Sequence, residues 1–175
     1  MNRALRDLRV PALAALLVAA LVTAAILRSD GARTISANGV QVRVPPSWQR
    51  VEEAGDAFVI DPRTVLVVGT HGARPRPSRC QVAAYEVPPD GAVIVVVRWR
   101  TETSGGGRPP RSREPLGTIE LDRRGFECRP GHQGGSAQLA LGGHAYQVNV
   151  MVGDRASQQR VAEALRVARS FDLAP

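Results

Sequence analysis

There is no lysine in this chain of 175 residues; all 23 basic side chains are arginine. The formal charge of +7 therefore has the look of a GC-rich coding background rather than of selection for loose phosphate contact, which would draw on both basic residues. Aromatic side chains are equally sparse, at 4%. None lies within an arginine cluster, so stacking on single-stranded nucleic acid is not supported and no nucleic-acid partner is expected. The motifs of common catalytic machinery are missing too. There is no Gly-x-Ser-x-Gly elbow and no His-Glu-x-x-His helix. Ser104-Gly105-Gly106-Gly107-Arg108 lacks the Gly-Lys-Ser/Thr ending of a phosphate loop, and Pro109-Pro110 prevents a helix from following it. Ser47, Ser78 and Ser112 lie near proline without a matching His–Asp arrangement, and Glu52, Glu53 and Asp61 read as surface or turn carboxylates. A composition 43% hydrophobic and 22% charged excludes wholesale disorder and collagen-like structure, and the length suits one folded domain.

What is present begins with an address. Residues 1–9 form a basic leader with Arg3, Arg6 and Arg9 against Asp7. Residues 10–27, Val10 to Leu27, then run for 18 positions without a charge. As a helix this run would be about 27 Å long, close to the ~30 Å hydrocarbon core of a bilayer. Pro11 falls in its first turn, where a missing N–H costs least. The basic leader keeps the N-terminus cytoplasmic and sends the rest outward, so the expected location is a single-pass membrane protein with an extracytoplasmic C-terminal domain. A cleaved signal peptide is the competing reading, with Thr23 and Ala25 as the small residues before a cut. No cysteine follows the run to carry a lipid, and the leader has no twin arginine.

Residues 28–38 read as a polar tether and 39–175 as the exported domain. Val40, Val42 and Val44 alternate with Gln41 and Arg43, the period of a half-buried strand ended by Pro45-Pro46, and Trp48 is a candidate core anchor. Short strands are expected at 57–60 and 65–69 around the turn Asp61-Pro62-Arg63-Thr64. Residues 92–99 are almost continuously apolar, as in a central strand covered on both faces. A weaker strand is expected over 116–122. Residues 138–141 and 145–152 flank Gly142-Gly143-His144 as a hairpin. Residues 154–169 predict a helix with Asp154 as N-cap and Val161, Leu165 and Ala168 as its buried stripe, after which Phe171 and Leu173 tuck onto the sheet. The expected fold class is α+β: an N-terminal transmembrane helix, then an antiparallel sheet of about seven strands closed by one C-terminal helix.

The membrane-proximal run, the strand ending Val44-Pro45-Pro46-Ser47-Trp48, the two separated cysteines, the Gly-Gly hairpin and the ending Gly153-Asp154-Arg155-Ala156…Ala164-Leu165-Arg166-Val167-Ala168-Arg169-Ser170-Phe171 resemble small membrane-anchored exported actinobacterial proteins of unknown function. The opening strand with its tryptophan and the closing helix are loosely similar to exported PsbP-like domains. The resemblance implies an antiparallel α+β sandwich. Its motifs are packing features and turns, so it implies no catalytic residue.

Cys80 and Cys128 are an even pair in an exported chain and are expected to form a disulfide. Closing a loop of 48 residues would contribute roughly 4 kcal/mol in the chain-entropy picture. The alternative joins them with His71 and His132 as a zinc set, or pairs a cysteine with a histidine as a nucleophile. His144 reads as a solvated turn histidine. No metal, cofactor or catalytic set is expected. Arg74, Arg76 and Arg79 lie in one loop and Arg108, Arg111 and Arg113 in another; if the disulfide draws those loops together they form an anion-binding rim. The expectation is a non-enzymatic interaction or ligand-binding module at the cell envelope, touching the membrane through residues 10–27 and an anionic envelope component or a membrane protein through its surface. The alternative is a small exported hydrolase or metalloprotein built on His71, His132, Glu127 or a cysteine.

Overall fold

A computed structural model describes residues 31–54, 61–100, 108–122, 126 and 133–175. The apolar run 10–27, the strand expected at 57–60, and Cys128, His132 and Glu127 lie outside the described residues. Among those described, no helix is long and apolar enough to cross a membrane. The chain divides at residues 32 and 33, and the second unit is the folded body considered below.

The strands are β1 (Arg33–Ala37), β2 (Val40–Val44), β3 (Trp48–Arg50), β4 (Arg63–Thr70), β5 (Arg74–Pro75), β6 (Tyr85–Glu86), β7 (Ala92–Trp99), β8 (Gln133–Leu141), β9 (His144–Val152) and β10 (Asp172–Leu173). Among the described residues two α-helices join them, α1 (Glu114–Gly117) and α2 (Gln158–Arg169). The strands do not form one sheet of about seven. They divide into a five-stranded sheet in the order β3-β4-β7-β9-β8, a three-stranded sheet in the order β1-β2-β10, and a β5-β6 ribbon. All strand pairs are antiparallel.

The division follows from which faces are apolar. β7 is the middle strand, and its alternate residues enter two different cores. Ala92, Ile94 and Val96 join one cluster, while Val93, Val95 and Val97 join the other. The first face is covered by α2 and by Val40, Val42 and Val44 of β2, all fully buried. The second is covered by Ala73, Ala84, Tyr85 and Val87, around the β5-β6 ribbon. A sheet buried on both sides needs strands without a polar stripe, which is what the run 92–99 supplies. In β4 a bulge sits at Val65, between the pairs Thr64–Val97 and Leu66–Val96, so that Val65 and Leu66 both reach the first core.

Three local expectations change. Residues 33–37, read as tether, form β1, which turns into β2 through Asn38-Gly39, both at positive φ (49° and 80°). Residues 116–122 are not a strand. Pro115 sits in the first turn of the short helix α1, and only Asp122 pairs with a strand, through a bridge to Gly134. The long helix starts at Gln158 rather than at 154, because Ser157 is the N-cap, its hydroxyl accepting from Arg160 N at 3.1 Å. Asp154 instead lies in a turn held by Arg155 N donating to Pro89 O at 2.8 Å. The helix buries Ala164, Val167 and Ala168, with Val161 and Leu165 only partly covered. Phe171 is fully buried, and Leu173 pairs with Val40 at the edge of the small sheet. The Gly142-Gly143 hairpin forms as expected, with φ of 55° and 78°.

Candidate functional site

Strand β2 buries its valines, so Gln41 and Arg43 face outward. Across the small sheet Thr34 of β1 stands opposite Arg43, and Asp172 of β10 stands opposite Gln41. The chain before α1 brings in Arg113, which pairs with Asp172. These residues, with Val42 and Ser170, line a cleft of about 320 Å³. The cleft floor is held by hydrogen bonds. The Ser170 hydroxyl accepts from Arg43 N at 2.8 Å, and Gln41 Nε2 donates to Leu173 O at 3.0 Å. The Arg43 guanidinium makes no ion pair or hydrogen bond among the described residues. The cleft therefore presents hydroxyl, amide and guanidinium donors, with one carboxylate. That set suits recognition of an anion and contains no nucleophile–base pair.

The expected rim arginines lie on separate elements. Arg74 lies on β5 beside Glu86, with Nε to Oε2 at 2.5 Å, and this hydrogen bond and the carboxylate's charge raise the Arg74 pKa above its usual value. Arg76 Nε donates to Ala83 O at 2.6 Å. Arg74 is in the ribbon whose Tyr85 packs in the second-face core, and Arg76 directly follows its first strand. Arg113 leads into α1, whose Leu116 packs in the first-face core. The two arginine groups thus attach to opposite sides of the main sheet. Arg79, Arg108 and Arg111 are exposed. Sequence reasoning singled out Arg113 but passed over Arg43, Thr34 and Asp172. Their outward positions on short polar strands carry no local motif, and the only available signal was the alternation of β2 itself.

The cysteine and histidine readings find less. No described cysteine is free. Its expected partner Cys128 lies outside the described residues, as does His132. His71 is exposed in a turn, and His144 is exposed at the start of β9. Among the described residues no three His, Cys, Asp or Glu side chains come together to hold a metal ion. The loop 101–107 lies outside the described residues. The strand expected from 138 begins earlier, at Gln133, and a Cβ on Gly135 would stand 2.1 Å from Glu120 O.

No family model matches the sequence, and no curated protein matches it. Several solved structures are similar, among them these two. One is a protein of Bacteroides thetaiotaomicron, with a TM-score of 0.43, 11% identity, and 83% of this chain aligned to 49% of that chain. This chain spans about half the length of that protein. The other is the cyanobacterial PsbP protein CyanoP from Synechocystis, with a TM-score of 0.43, 10% identity, and 82% of this chain aligned to 93% of that one. No residue role or activity is carried over from either protein.

Proposed function

We propose that the chain is an extracytoplasmic, non-enzymatic binding module, held at the cell membrane by residues 10–27, with Cys80 and Cys128 joined by a disulfide. Its partner is an anionic component of the envelope, taken by arginines of its surface. The observation that carries this reading is the uncharged run of 18 residues behind a basic leader, which ends six residues before the first strand begins. A folded sheet domain so close behind an apolar segment is the layout of an anchored exported domain. The cleft beside Arg43 and Arg113 adds a place where an anion can be held, and its lining offers hydrogen-bond donors without a nucleophile–base pair.

The test is protease added to intact cells that express the full chain with a C-terminal epitope tag. The proposal expects the tag to be lost from intact cells while a cytoplasmic marker survives. A tag protected in intact cells and cut only after lysis overturns it.

A further inference from the structure

We propose that the cleft bounded by Thr34, Gln41, Arg43, Arg113, Ser170 and Asp172 is a phosphodiester-binding site. This deepens the reading above, on which it rests for the source of its ligand, by naming the residues and the chemical class that they take.

The first argument is the state of each donor. The backbone of Arg43 is clamped on both sides by Ser170, whose Oγ lies 2.8 Å from Arg43 N and 3.2 Å from Arg43 O. The guanidinium that this rigid strand projects has no partner among the described residues. The Thr34 hydroxyl, opposite Arg43 in the register, has none there either. Among the described residues Arg113 is paired only with Asp172, and the pair is open to solvent, its side chains 50% and 37% exposed. Exposed pairs of this kind are weak, so a phosphate oxygen can take the place of the carboxylate at Arg113 without a buried charge being stranded. A guanidinium offers two parallel N–H groups, which match the two non-bridging oxygens of a phosphate.

The second argument is charge. Arg43 and Arg113 against Asp172 give the cleft a formal charge of +1. A phosphodiester carries a single negative charge and completes this balance. A phosphomonoester carries nearly two at neutral pH, and its second charge would stand against Asp172. The cleft therefore favours the diester.

Phosphodiesters occur in the headgroups of anionic lipids and in soluble glycerol phosphodiesters. Thr34 follows Leu27 by seven residues, a chain reach of at most about 25 Å. A cleft tethered that closely to an apolar anchor could meet either source.

The experiment uses the full chain in uncharged maltoside micelles. Binding of glycerophosphoglycerol, and separately of short-chain phosphatidylglycerol doped into the micelles, is followed by calorimetry, with glycerol phosphate as the monoester comparison. The expected result is saturable binding of the diester in preference to the monoester. Binding falls about tenfold or more in Arg43→Gln/Arg113→Gln, as expected for losing two charge-assisted contacts. Asp172→Asn, which keeps both arginines, binds as tightly or a few-fold tighter, and Arg155→Gln on the distant turn is unchanged. Binding of the soluble diester shows that the phosphodiester alone suffices; binding only of the doped lipid places the site at bilayer headgroups; both outcomes support the site if the arginine variant loses them. Absence of binding to either probe, equal binding by the arginine variant, or loss of binding in Asp172→Asn overturns it. Protease accessibility on cells does not depend on this cleft, and binding in micelles does not depend on export, so the two proposals fail separately.

Discussion

The indole Nε1–H of Trp48 donates to Glu163 Oε1 at 2.6 Å, tying β3 at the edge of the main sheet to the middle of α2. Trp48 is 1% exposed, and Arg160 pairs with the same carboxylate oxygen from one turn away. The tryptophan therefore does more than fill space where β2 ends. It sets where the helix lies over the first face of the sheet, and the helix in turn delivers Ser170 to the cleft.

Trp48→Phe keeps most of the ring packing and removes the donor to a charged acceptor. Hydrogen bonds to charged groups contribute about 1.5–3 kcal/mol, and the Arg160 pair retains part of the carboxylate's satisfaction. A loss of about 1–2 kcal/mol is expected, and Trp48→Ala should cost about 3–5 kcal/mol. Urea unfolding of the two variants beside the parent chain measures both, and equal midpoints for parent and Trp48→Phe would show that the indole bond contributes nothing.

Gly153 ends β9 where two prolines cross it. A Cβ there would stand 2.2 Å from both Pro88 O and Pro89 O, while the Gly153 N–H donates to Gly91 O at 2.9 Å. Backbone oxygens cannot step aside as a flexible side chain can. Gly153→Ala is expected to cost about 1–3 kcal/mol through overpacking. Gly117, at the end of α1, has nothing within 4 Å of its would-be Cβ, so Gly117→Ala should be neutral or stabilising by up to about 1 kcal/mol. The pair is read by thermal melting, and a Gly153→Ala midpoint at or above that of the parent contradicts the close approach.

Asn149 is fully buried in the middle of β9 on the second face. Its Nδ2 donates to Val95 O at 3.0 Å, and its Oδ1 accepts from Gln147 Nε2 at 2.7 Å. Gln147 in turn accepts from Gln138 at 3.2 Å, so a line of amides runs from the interior to the surface of β8. Asn149→Leu removes these bonds and leaves the Gln147 amide without its inner partner. A cost of about 1–3 kcal/mol is expected in urea unfolding. Hydrogen exchange should also show faster amides in β8 and β9 than elsewhere in the main sheet, and uniform exchange with unchanged stability would rule out a structural role for the amide line.

Much of this architecture is written in the order of the residues. The alternation of Val40, Val42 and Val44, the unbroken apolar run of β7 and the Gly142-Gly143 hairpin each carry their own periodicity or turn chemistry. β1 was legible as well, because Asn38-Gly39 is a strong two-residue hairpin signal, but the polar residues before it masked the strand. The segment 116–122 misled because Leu116, Ile119 and Leu121 suggest a stripe, whereas Pro115 had already opened a helical turn. β3, β5, β6 and β10 have two or three residues each and owe their pairing to tertiary context. The same holds for the cleft. Thr34, Arg43, Arg113 and Asp172 come from separate stretches of chain, and only the pairing of β1, β2 and β10 brings them together.

The proposed function requires the domain to lie outside the membrane with its anchor retained and its cysteines paired. The direct measurement is the intact mass of the full chain from the membrane fraction, alkylated first without and then with reductant. The expected spectrum shows the complete chain with no alkyl group before reduction and two after it. Two alkyl groups added before reduction, or a mass that begins after Ala25, would contradict it.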